Sequence, residues 1–422
     1  MKQTFYVCIL ALTCVMAGCT TNAVTGKRQF TMPIAKQISI GKQQYQPSLQ
    51  QQGGRYAIDP ELNLYVASVG NKLAAYSPVK LPYEFTVIDN NVPNAWALPG
   101  GKIAINSGLL ALLDDESQLA AVLGHEIIHA AAEHSARQMA QAQLLGVGAL
   151  AVGLASKDNQ YAQYIGIGTS FASGVWQAKY GRDQELEADS YGIDLMVKAG
   201  YDPQGAVELQ QTFVSLKANN KTENWLDGLF SSHPPSQERV DKNKALAATL
   251  PQGKRNATQY KRATRQLAAD QNAESAHNES LKQFQKKNYS EALAQVNSAI
   301  RKQPNAAKYY LTKGTILQAQ NNASQALKAF DKASKVNPDY FLTHLQKGLT
   351  AKSLNKNNLA KPALTNSMQQ LSTPIAAYHL SEYAYKAGDK TKAIELLKFA
   401  AQDKGEVGKA AQAQLAKLQP SA

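Results

Sequence analysis

A period of 34 residues runs through the C-terminal part of this 422-residue chain. Ala292, Ala326 and Ala360 are 34 residues apart, and Ala393 follows after 33. The same interval of 34 separates two further pairs of residues, Pro304 and Pro338, and Gly314 and Gly348. A unit of this length holds one pair of helices that cannot bury its apolar face alone, so several units must stack. An irregular helical bundle is the alternative, and three features that share one period count against it.

The repeated residues are placed as in tetratricopeptide repeats, which they resemble. Small residues recur where the two helices of a unit would cross, and a proline stands at the end of each unit. Arrays of this kind bind segments of other proteins on a concave face and carry no chemistry of their own. We therefore predict an all-α tetratricopeptide-repeat solenoid over residues 276–418 that docks a protein partner.

The first twenty residues predict export rather than a folded segment. Lys2 supplies a short positive region, and the apolar run from Phe5 to Met16 is too short to span a bilayer as a helix. The run ends in Met16-Ala17-Gly18-Cys19, which resembles a bacterial lipobox, where the cysteine becomes the lipidated first residue of the mature protein. We predict a lipoprotein signal peptide over residues 1–18 and lipidation of Cys19. A simple signal peptide with an accidental cysteine is the alternative.

The cysteines and the residue after the lipobox favour a lipid-anchored protein of the periplasm. The cysteines of the chain all lie within its first 19 residues: Cys8, Cys14 and Cys19. The mature chain would keep only Cys19 and could form no internal disulfide. Thr20 stands where the sorting rules of such lipoproteins place Asp for retention in the inner membrane. We therefore predict a membrane anchor at the inner face of the outer membrane.

The basic charge of the chain is confined to its C-terminal part. The net charge is +13, and from Lys254 onward there are 26 Lys and Arg against 11 Asp and Glu. In a cytoplasmic protein such a balance would suggest nucleic acid as a partner. Because the leader predicts export from the cytoplasm, we expect no nucleic acid partner.

The sequence His125-Glu126-Ile127-Ile128-His129 predicts a metal site. It lies in a helix that should begin at Asp114 or Asp115 and continue without proline through Gln143. Two histidines four apart on a helix point to one side and can hold one Zn²⁺ ion, while Glu126 beside them can take a proton from the attacking water. The flanking residues are apolar or small, so the helix should be buried, which makes the alternative of solvated surface residues a poor one.

A histidine downstream of the motif does not supply the third zinc ligand. Metzincins extend the motif with a glycine and a further histidine. This chain has Ala132 and Ser135 at those two places, and His134 is out of register.

A carboxylate on a second helix is the remaining source of a third ligand. Glu185 and Asp189 are four apart and share a helix face. Glu185 can bind zinc while Asp189 accepts a hydrogen bond from a ligand histidine and so sets its tautomer. Glu187 points elsewhere and is expected to play no part. A Glu-rich stretch is usually a solvated face, and its pairing with the zinc helix favours the metal site.

Four motifs then occur in a particular order between about residues 40 and 248: Asn94-Ala95-Trp96-Ala97-Leu98-Pro99-Gly100-Gly101, the H-E-x-x-H helix, Glu185-x-x-x-Asp189, and Ser232-His233-Pro234-Pro235 followed by Arg239. This order resembles metallopeptidase family forty-eight, the gluzincins that include the CAAX prenyl proteases. The resemblance implies one Zn²⁺ per chain, held by His125, His129 and Glu185, with Glu126 as the general base and Asp189 behind a ligand histidine. The membrane-spanning helices of the prenyl proteases have no counterpart here, so their membrane-embedded substrates do not carry over.

The resemblance also implies roles for further residues. His233 would either stabilise the oxyanion or bind zinc as a fourth ligand in a resting state. Arg239 would support the site by pairing with a carboxylate or a substrate carbonyl, and a helix-surface arginine is the alternative. One strand would form the sheet edge along which an extended substrate adds its own strand, namely Lys102, Ile103, Ala104, Ile105 and Asn106.

The chain is thus predicted to be an α+β protein that is mainly helical, a gluzincin metallopeptidase domain with a small sheet followed by the repeat solenoid. We expect the signal peptide over residues 1–18, the peptidase domain over 19–250, a linker over 251–275 and the repeats over 276–418. This organisation predicts a zinc endopeptidase of the periplasm that degrades misfolded or stalled outer-membrane proteins, with repeats that dock a partner such as the outer-membrane assembly machinery. The hypothesis from another class is a periplasmic chaperone or adaptor with a latent peptidase domain.

Overall fold

The described residues of the chain are 19–144, 180–219 and 227–418 in a computed structural model, and they are mainly helical. The predicted signal peptide, residues 1–18, lies outside them. Contacts divide the described residues into two units. Unit 1 contains residues 19–45, 60–144, 180–219 and 227–265, and unit 2 contains residues 46–59 and 266–418. No helix of the described residues combines the length and the apolar character needed to cross a membrane.

Two small sheets lie in unit 1. Strands β1 (Cys19–Thr21) and β2 (Arg28–Phe30) form an antiparallel pair. Strands β3 (Glu84–Ile88), β4 (Ala95–Leu98) and β5 (Lys102–Asn106) form a second sheet in the order β3-β5-β4. In this sheet β5 pairs in parallel with β3 and antiparallel with β4.

The position of β5 corrects the prediction that Lys102–Asn106 is the edge of the sheet. Gly100 and Gly101, both with positive φ, turn the chain back so that β5 pairs with β4, and β3 then covers the other side of β5. Both hydrogen-bonding edges of β5 are therefore occupied, and β4 is an outer strand among the residues that the structure describes. Alternation of apolar residues marks a strand but does not distinguish an edge strand from a central one.

Among the helices of unit 1, the helix that carries the H-E-x-x-H motif packs on β4 and is buried along its whole length. Its N-cap is Asp115, whose carboxylate accepts a hydrogen bond from the amide of Gln118 at 3.0 Å. The helices are α1 (Ile34–Gln51, which continues into unit 2), α2 (Pro60–Ala74), α3 (Ser107–Leu110), α4 (Glu116–Ala131), α5 (His134–Leu144), α6 (Arg182–Lys198), α7 (Gln204–Asn219), α8 (Asp227–Ser232), α9 (Gln237–Ala247) and α10 (Ala257–Ala263).

The long helix predicted to continue through Gln143 is two helices, because the chain turns between α4 and α5. Glu133 has φ of +59°, which interrupts the helical hydrogen-bond ladder. Three side chains donate hydrogen bonds to its carboxylate, namely Gln29 (3.2 Å), Thr31 (2.9 Å) and Gln37 (2.6 Å). The turn is thus determined by residues about 100 positions earlier in the chain, which local sequence does not reveal.

Helices α4 and α6 cross at a pair of glycines. A Cβ atom on Gly192 would lie 3.0 Å from the amide nitrogen of His125 and 3.2 Å from the carbonyl carbon of Gly124. These separations are shorter than almost all ordinary Cβ contacts, so only glycine allows the two backbones to approach this closely. The close crossing brings the carboxylates of α6 to the histidines of α4.

Unit 2 consists of successive helix pairs, as the 34-residue period predicts. The recurring alanines, Ala292, Ala326, Ala360 and Ala393, are fully buried, and Gly314 packs so closely on Phe330 that a Cβ there would overlap its ring. The helices are α11 (Arg265–Gln285), α12 (Tyr289–Lys302), α13 (Ala307–Ala319), α14 (Ala323–Val336), α15 (Phe341–Ser353), α16 (Asn357–Gln370), α17 (Pro374–Lys386), α18 (Lys390–Ala400) and α19 (Glu406–Leu418). The predicted fold class, α+β and mainly helical with an all-α repeat region, is confirmed.

Candidate metal centre

Two histidine side chains of α4 converge in the interior of unit 1. The Nε2 atoms of His125 and His129 lie 2.9 Å apart, and the side chains are 9% and 0% exposed. The helical spacing of four residues sets this arrangement, as the sequence predicts. Two basic nitrogens facing each other in a buried place form half of a metal-binding donor set.

Helix α6 adds a carboxylate to the two imidazoles. Glu185 Oε1 lies 3.3 Å from His129 Nε2, and Glu185 Oε2 lies 3.6 Å from His125 Nε2. The carboxylate is 2% exposed, so its charge requires compensation from its neighbours. The sequence-predicted ligands His125, His129 and Glu185 therefore meet at one point.

His233, which follows α8, occupies the fourth place around the same point. Its Nδ1 lies 3.1 Å from Glu185 Oε1 and 3.2 Å from His125 Nε2. One ligand atom from each of the four residues falls within 4.8 Å of the others, and all four side chains are buried. His233 Nε2 also lies 3.5 Å from Glu126 Oε1, so His233 contacts both the donor cluster and the predicted base.

A buried ion pair supports the donor cluster from behind. Asp189 Oδ1 lies 2.9 Å from His125 Nδ1, the nitrogen that faces away from the cluster. Arg239 of α9 contacts both carboxylates of α6: its Nε and Nη2 donate to Asp189 at 2.7 Å each, and its Nη1 lies 2.6 Å from Glu185 Oε2. Arg239 is 4% exposed, so the alternative of a helix-surface arginine is wrong.

Burial and neighbouring charge set the protonation of the site. Burial raises the pKa of the Glu126 carboxyl above its ordinary value, although the nearby His233 and His125 oppose the change. Burial would also raise the pKa of Glu185, but the imidazoles of His233 and His125 hold it well below the ordinary value. The pKa of His129 lies well below its ordinary value because burial disfavours the charged imidazole. These shifts favour the carboxylate form of Glu185 and the neutral imidazole of His129, the forms in which these side chains bind metals.

The donor set fits a zinc ion. Imidazole nitrogens and a carboxylate oxygen are the ligands that catalytic zinc sites use. Glu126 Oε2 is buried and has no hydrogen-bond partner among the described residues, which is unusual for a buried carboxylate and fits a partner supplied by the loaded site. The predicted zinc cofactor is thus confirmed in the donor chemistry of His125, His129, Glu185 and His233.

A mostly apolar cavity adjoins the donor cluster. His125, Glu126 and His233 form part of its wall, together with Ala95 of the outer strand β4. No residue of β5 lines it. Its apolar lining includes Leu109, Val122, Ile193, Met196, Leu209 and Phe213.

Sequence reasoning missed three residues around His129. Tyr180 stacks on the His129 imidazole with ring centroids 3.6 Å apart, and no sequence signal marks this residue. His134, dismissed as out of register for a zinc ligand, lies 2.8 Å from His129 between their Nδ1 atoms. Glu187, expected to play no part, lies 3.4 Å from His134 Nε2. A histidine five residues after the motif was the one available signal.

Comparison with known proteins agrees with this geometry. The profile of peptidase family M48 matches residues 60–247. A putative beta-barrel assembly-enhancing protease of Vibrio cholerae serotype O1 is 32% identical over 202 residues, which are 46% of this chain and 40% of that protein. The beta-barrel assembly-enhancing protease of Escherichia coli strain K12 is 37% identical over 152 residues, 35% of this chain and 31% of that protein. The match spans less than half the length of either relative. The predicted resemblance to metallopeptidase family forty-eight is confirmed over residues 60–247.

The solved structures most similar to the chain include repeat proteins. A thermophilic tetratricopeptide-repeat protein of Thermus thermophilus is 17% identical and covers 51% of this chain and 98% of its own, with a TM-score of 0.28. The helix pairs of unit 2 are shown by their helix bounds and by the buried alanines that recur between them.

Proposed function

We propose that the chain is a zinc-dependent endopeptidase of the bacterial periplasm, on the premise that residues 60–247, which match the profile of peptidase family M48, form a domain of that family. The observation that supports the proposal most directly is the buried cluster of His125, His129 and Glu185 beside Glu126. Glu126 Oε2 has no hydrogen-bond partner among the described residues. We would not expect an inactive domain to retain the ligands, the base and the supporting ion pair together.

Each residue of the site has a part in peptide hydrolysis. His125, His129 and Glu185 would hold the zinc ion, which supplies Lewis acidity that activates water and polarises the scissile carbonyl. Glu126 takes a proton from the attacking water and delivers it to the leaving amine. Burial raises the pKa of the Glu126 carboxyl above its ordinary value, which makes it a stronger base towards the attacking water. Asp189 orients His125 through Nδ1, and Arg239 holds Asp189 in place.

We propose that His233 is the fourth ligand of a resting state rather than a donor to the oxyanion. Its Nδ1 stands among the ligand atoms, 3.1 Å from Glu185 and 3.2 Å from His125. A side chain in that place excludes the attacking water from the centre. His233 precedes two prolines and follows the short helix α8, so it belongs to a connection rather than to the rigid crossing of α4 and α6.

The substrate would lie along β4, not along β5. The outer strand β4 can accept an extended peptide by main-chain hydrogen bonds, and its Ala95 lines the cavity beside the donor cluster. Such pairing reads extended backbone, so it suits unfolded polypeptides. The apolar cavity would take an apolar side chain next to the scissile bond, a residue type that folded proteins bury and misfolded proteins expose.

The biological setting is part of the same proposal. The lipobox that ends at Cys19 supports a lipid anchor, and Thr20 after it supports an anchor at the inner face of the outer membrane. Misfolded or stalled outer-membrane proteins are the proposed substrates, and the similarity to beta-barrel assembly-enhancing proteases supports this choice. The repeats of unit 2 would dock a protein partner, with the outer-membrane assembly machinery as the candidate. The division into a leader over residues 1–18, a peptidase domain over 19–250, a linker over 251–275 and repeats over 276–418 stays a prediction from the sequence.

The rival function is a periplasmic chaperone or adaptor with a latent peptidase domain. The position of His233 among the ligand atoms is the observation that favours it, because a permanently blocked centre would not cleave. The two functions differ in whether removing the block restores cleavage.

The test is cleavage of a reduced, unfolded model protein by the full mature chain in detergent. We expect cleavage that a zinc chelator abolishes and that Glu126→Gln lowers by at least about 10²-fold, because the general base is gone while the ligands remain. Glu395→Gln, a matched change on an exposed position of unit 2, should leave cleavage unchanged. Binding of the unfolded protein without cleavage by the parent and by His233→Ala would establish the chaperone or adaptor instead.

A further inference from the structure

His134 lies against a predicted zinc ligand because the chain turns at Glu133. On a continuous helix, residues five apart differ by about 140° in direction and would not meet. The turn at Glu133 ends α4, and α5 begins at His134 with its imidazole folded back onto His129. The two Nδ1 atoms lie 2.8 Å apart, and both side chains are 0% exposed.

The turn that creates this contact is held by the N-terminal segment. Asn22 donates a hydrogen bond from Nδ2 to the carbonyl oxygen of Ala132 at 2.8 Å. The carboxylate of Glu133 accepts hydrogen bonds from Gln29, Thr31 and Gln37. The placement of His134 is therefore built by several specific contacts and is not a consequence of loose packing.

The geometry determines which nitrogen of each histidine carries a proton. His129 Nε2 faces the donor cluster, so binding a metal there puts the proton on Nδ1, where it needs an acceptor. The Nδ1 atom of His134 is in place to accept it, which puts the proton of His134 on Nε2. His134 Nε2 in turn lies 3.4 Å from Glu187 Oε2, and Glu187 Oε1 accepts a hydrogen bond from Lys27 at 2.6 Å.

The two predicted histidine ligands are thus supported in parallel ways. Asp189 faces the Nδ1 atom of His125, and His134 faces the Nδ1 atom of His129. A ligand histidine whose outer nitrogen is bonded keeps one tautomer and one ring orientation, which raises its affinity for the metal.

We propose that His134 is a positioning residue that holds His129 in the Nδ1-protonated tautomer, and that Glu187 sets the tautomer of His134. The inference rests on the zinc site of the proposed function but not on catalysis. It extends the site to α5 and, through Lys27, to the strand pair at the N-terminus of the described residues.

The test measures zinc affinity of the full mature chain by competition with a chelator. His134→Leu removes the acceptor and should weaken zinc binding about 10- to 100-fold. His134→Asn puts an amide oxygen near the position of Nδ1, so it should stay within about 3-fold of the parent. Glu187→Gln can still accept a hydrogen bond and should weaken binding only a few-fold. His277, a buried histidine of unit 2, provides the matched control, and His277→Gln should leave zinc affinity unchanged.

A second measurement separates positioning from simple packing. With ¹⁵N-labelled histidine, the zinc-loaded parent should show a proton on His129 Nδ1 with a coupling across the hydrogen bond to His134 Nδ1, and His134→Leu should lose it. Thermal unfolding of the metal-free variants shows whether they are folded.

Three results would overturn the inference. The first is that His134→Leu binds zinc as tightly as the parent. The second is that His134→Asn is folded but loses as much affinity for zinc as His134→Leu. A parent that binds no zinc would overturn the inference and the proposed function together, whereas zinc binding without cleavage, with the expected order of affinities, would contradict the proposed function alone.

Discussion

Arg239 and Asp189 form a buried ion pair with two hydrogen bonds of 2.7 Å, one from Nε and one from Nη2 of the guanidinium. The same guanidinium lies 2.6 Å from Glu185 Oε2, so one cation compensates two carboxylates of α6. Because one of these carboxylates is a predicted zinc ligand and the other contacts the ligand His125, the charge balance of the site depends on a single residue from α9.

Replacing Arg239 should destabilise unit 1 strongly. Arg239→Met leaves two buried carboxylates without a counter-charge, a loss of about 3–5 kcal/mol. Arg239→Lys should restore little of it, because an ammonium group cannot form the two parallel hydrogen bonds. Arg182→Met, which removes an exposed pairing with Glu238, should cost no more than about 1 kcal/mol. Denaturant unfolding of the three variants measures the difference, and equal losses for Arg239→Met and Arg182→Met would contradict it.

The crossing of α4 and α6 should not tolerate a side chain at Gly192. In Gly192→Ala the new Cβ would lie 3.0 Å from His125 N, so α6 must move away and carry Glu185 with it. We expect weaker zinc binding by at least about 10-fold, measured by chelator competition. Gly181→Ala, at the exposed start of α6 where a Cβ meets only one atom at 3.9 Å, should keep the parental affinity. A tight-binding Gly192→Ala would show that the close approach is not required.

Removing the imidazole of His233 should raise the cleavage rate. In His233→Ala the fourth place around the ligand atoms becomes free for water, and we expect turnover of an unfolded substrate to increase several-fold. The change His379→Ala in unit 2 serves as the control. A fall of about 10²–10³-fold in kcat would instead identify His233 as a donor to the oxyanion, since that is the effect of removing such a donor.

The apolar cavity should decide which residues flank the cleaved bond. Ala206 lines the cavity and is 6% exposed, so Ala206→Leu fills part of the space. We expect cleavage of a peptide library, analysed by mass spectrometry, to shift from large apolar residues towards small ones at one position beside the scissile bond. An unchanged preference would place the substrate side chain elsewhere.

The stability of unit 2 should decrease as the pH is lowered, because of His277. Burial, aided by Lys308, lowers the pKa of His277 to about 4 from an ordinary value near 6.5. Below pH 6.5 the unfolded chain binds a proton that the folded unit does not bind until about pH 4. The stability that His277 contributes is therefore full above pH 6.5 and is lost progressively down to about pH 4, by about 3 kcal/mol for this one group.

The variant His277→Gln isolates this effect. The glutamine amide can donate to or accept from Thr312 Oγ1, which His277 Nε2 contacts at 2.8 Å, and it does not titrate between pH 7 and 4. Hydrogen exchange of residues 266–418 gives the denaturant concentration at which unit 2 unfolds. The slope of this midpoint against pH should differ between the parent and the variant. Parallel slopes would show that His277 does not carry the dependence.

Sequence alone determined the parts of this protein that depend on local spacing. The positions His125 and His129 share a helix face because they are four apart, and Glu185 and Asp189 do so for the same reason. The period of 34 residues determined the helix pairs of unit 2, because the buried alanines recur wherever two helices cross.

The tertiary structure decided the features that depend on residues distant in the chain. It placed β5 in the centre of the sheet and gave Arg239 two buried carboxylates as partners. It also ended α4 at a turn held by Gln29, Thr31 and Gln37, which brings His134 onto His129. The local periodicity of apolar residues predicts which side of a helix or strand a residue faces. Which element it meets depends on long-range packing, and no pattern within one element contains that information.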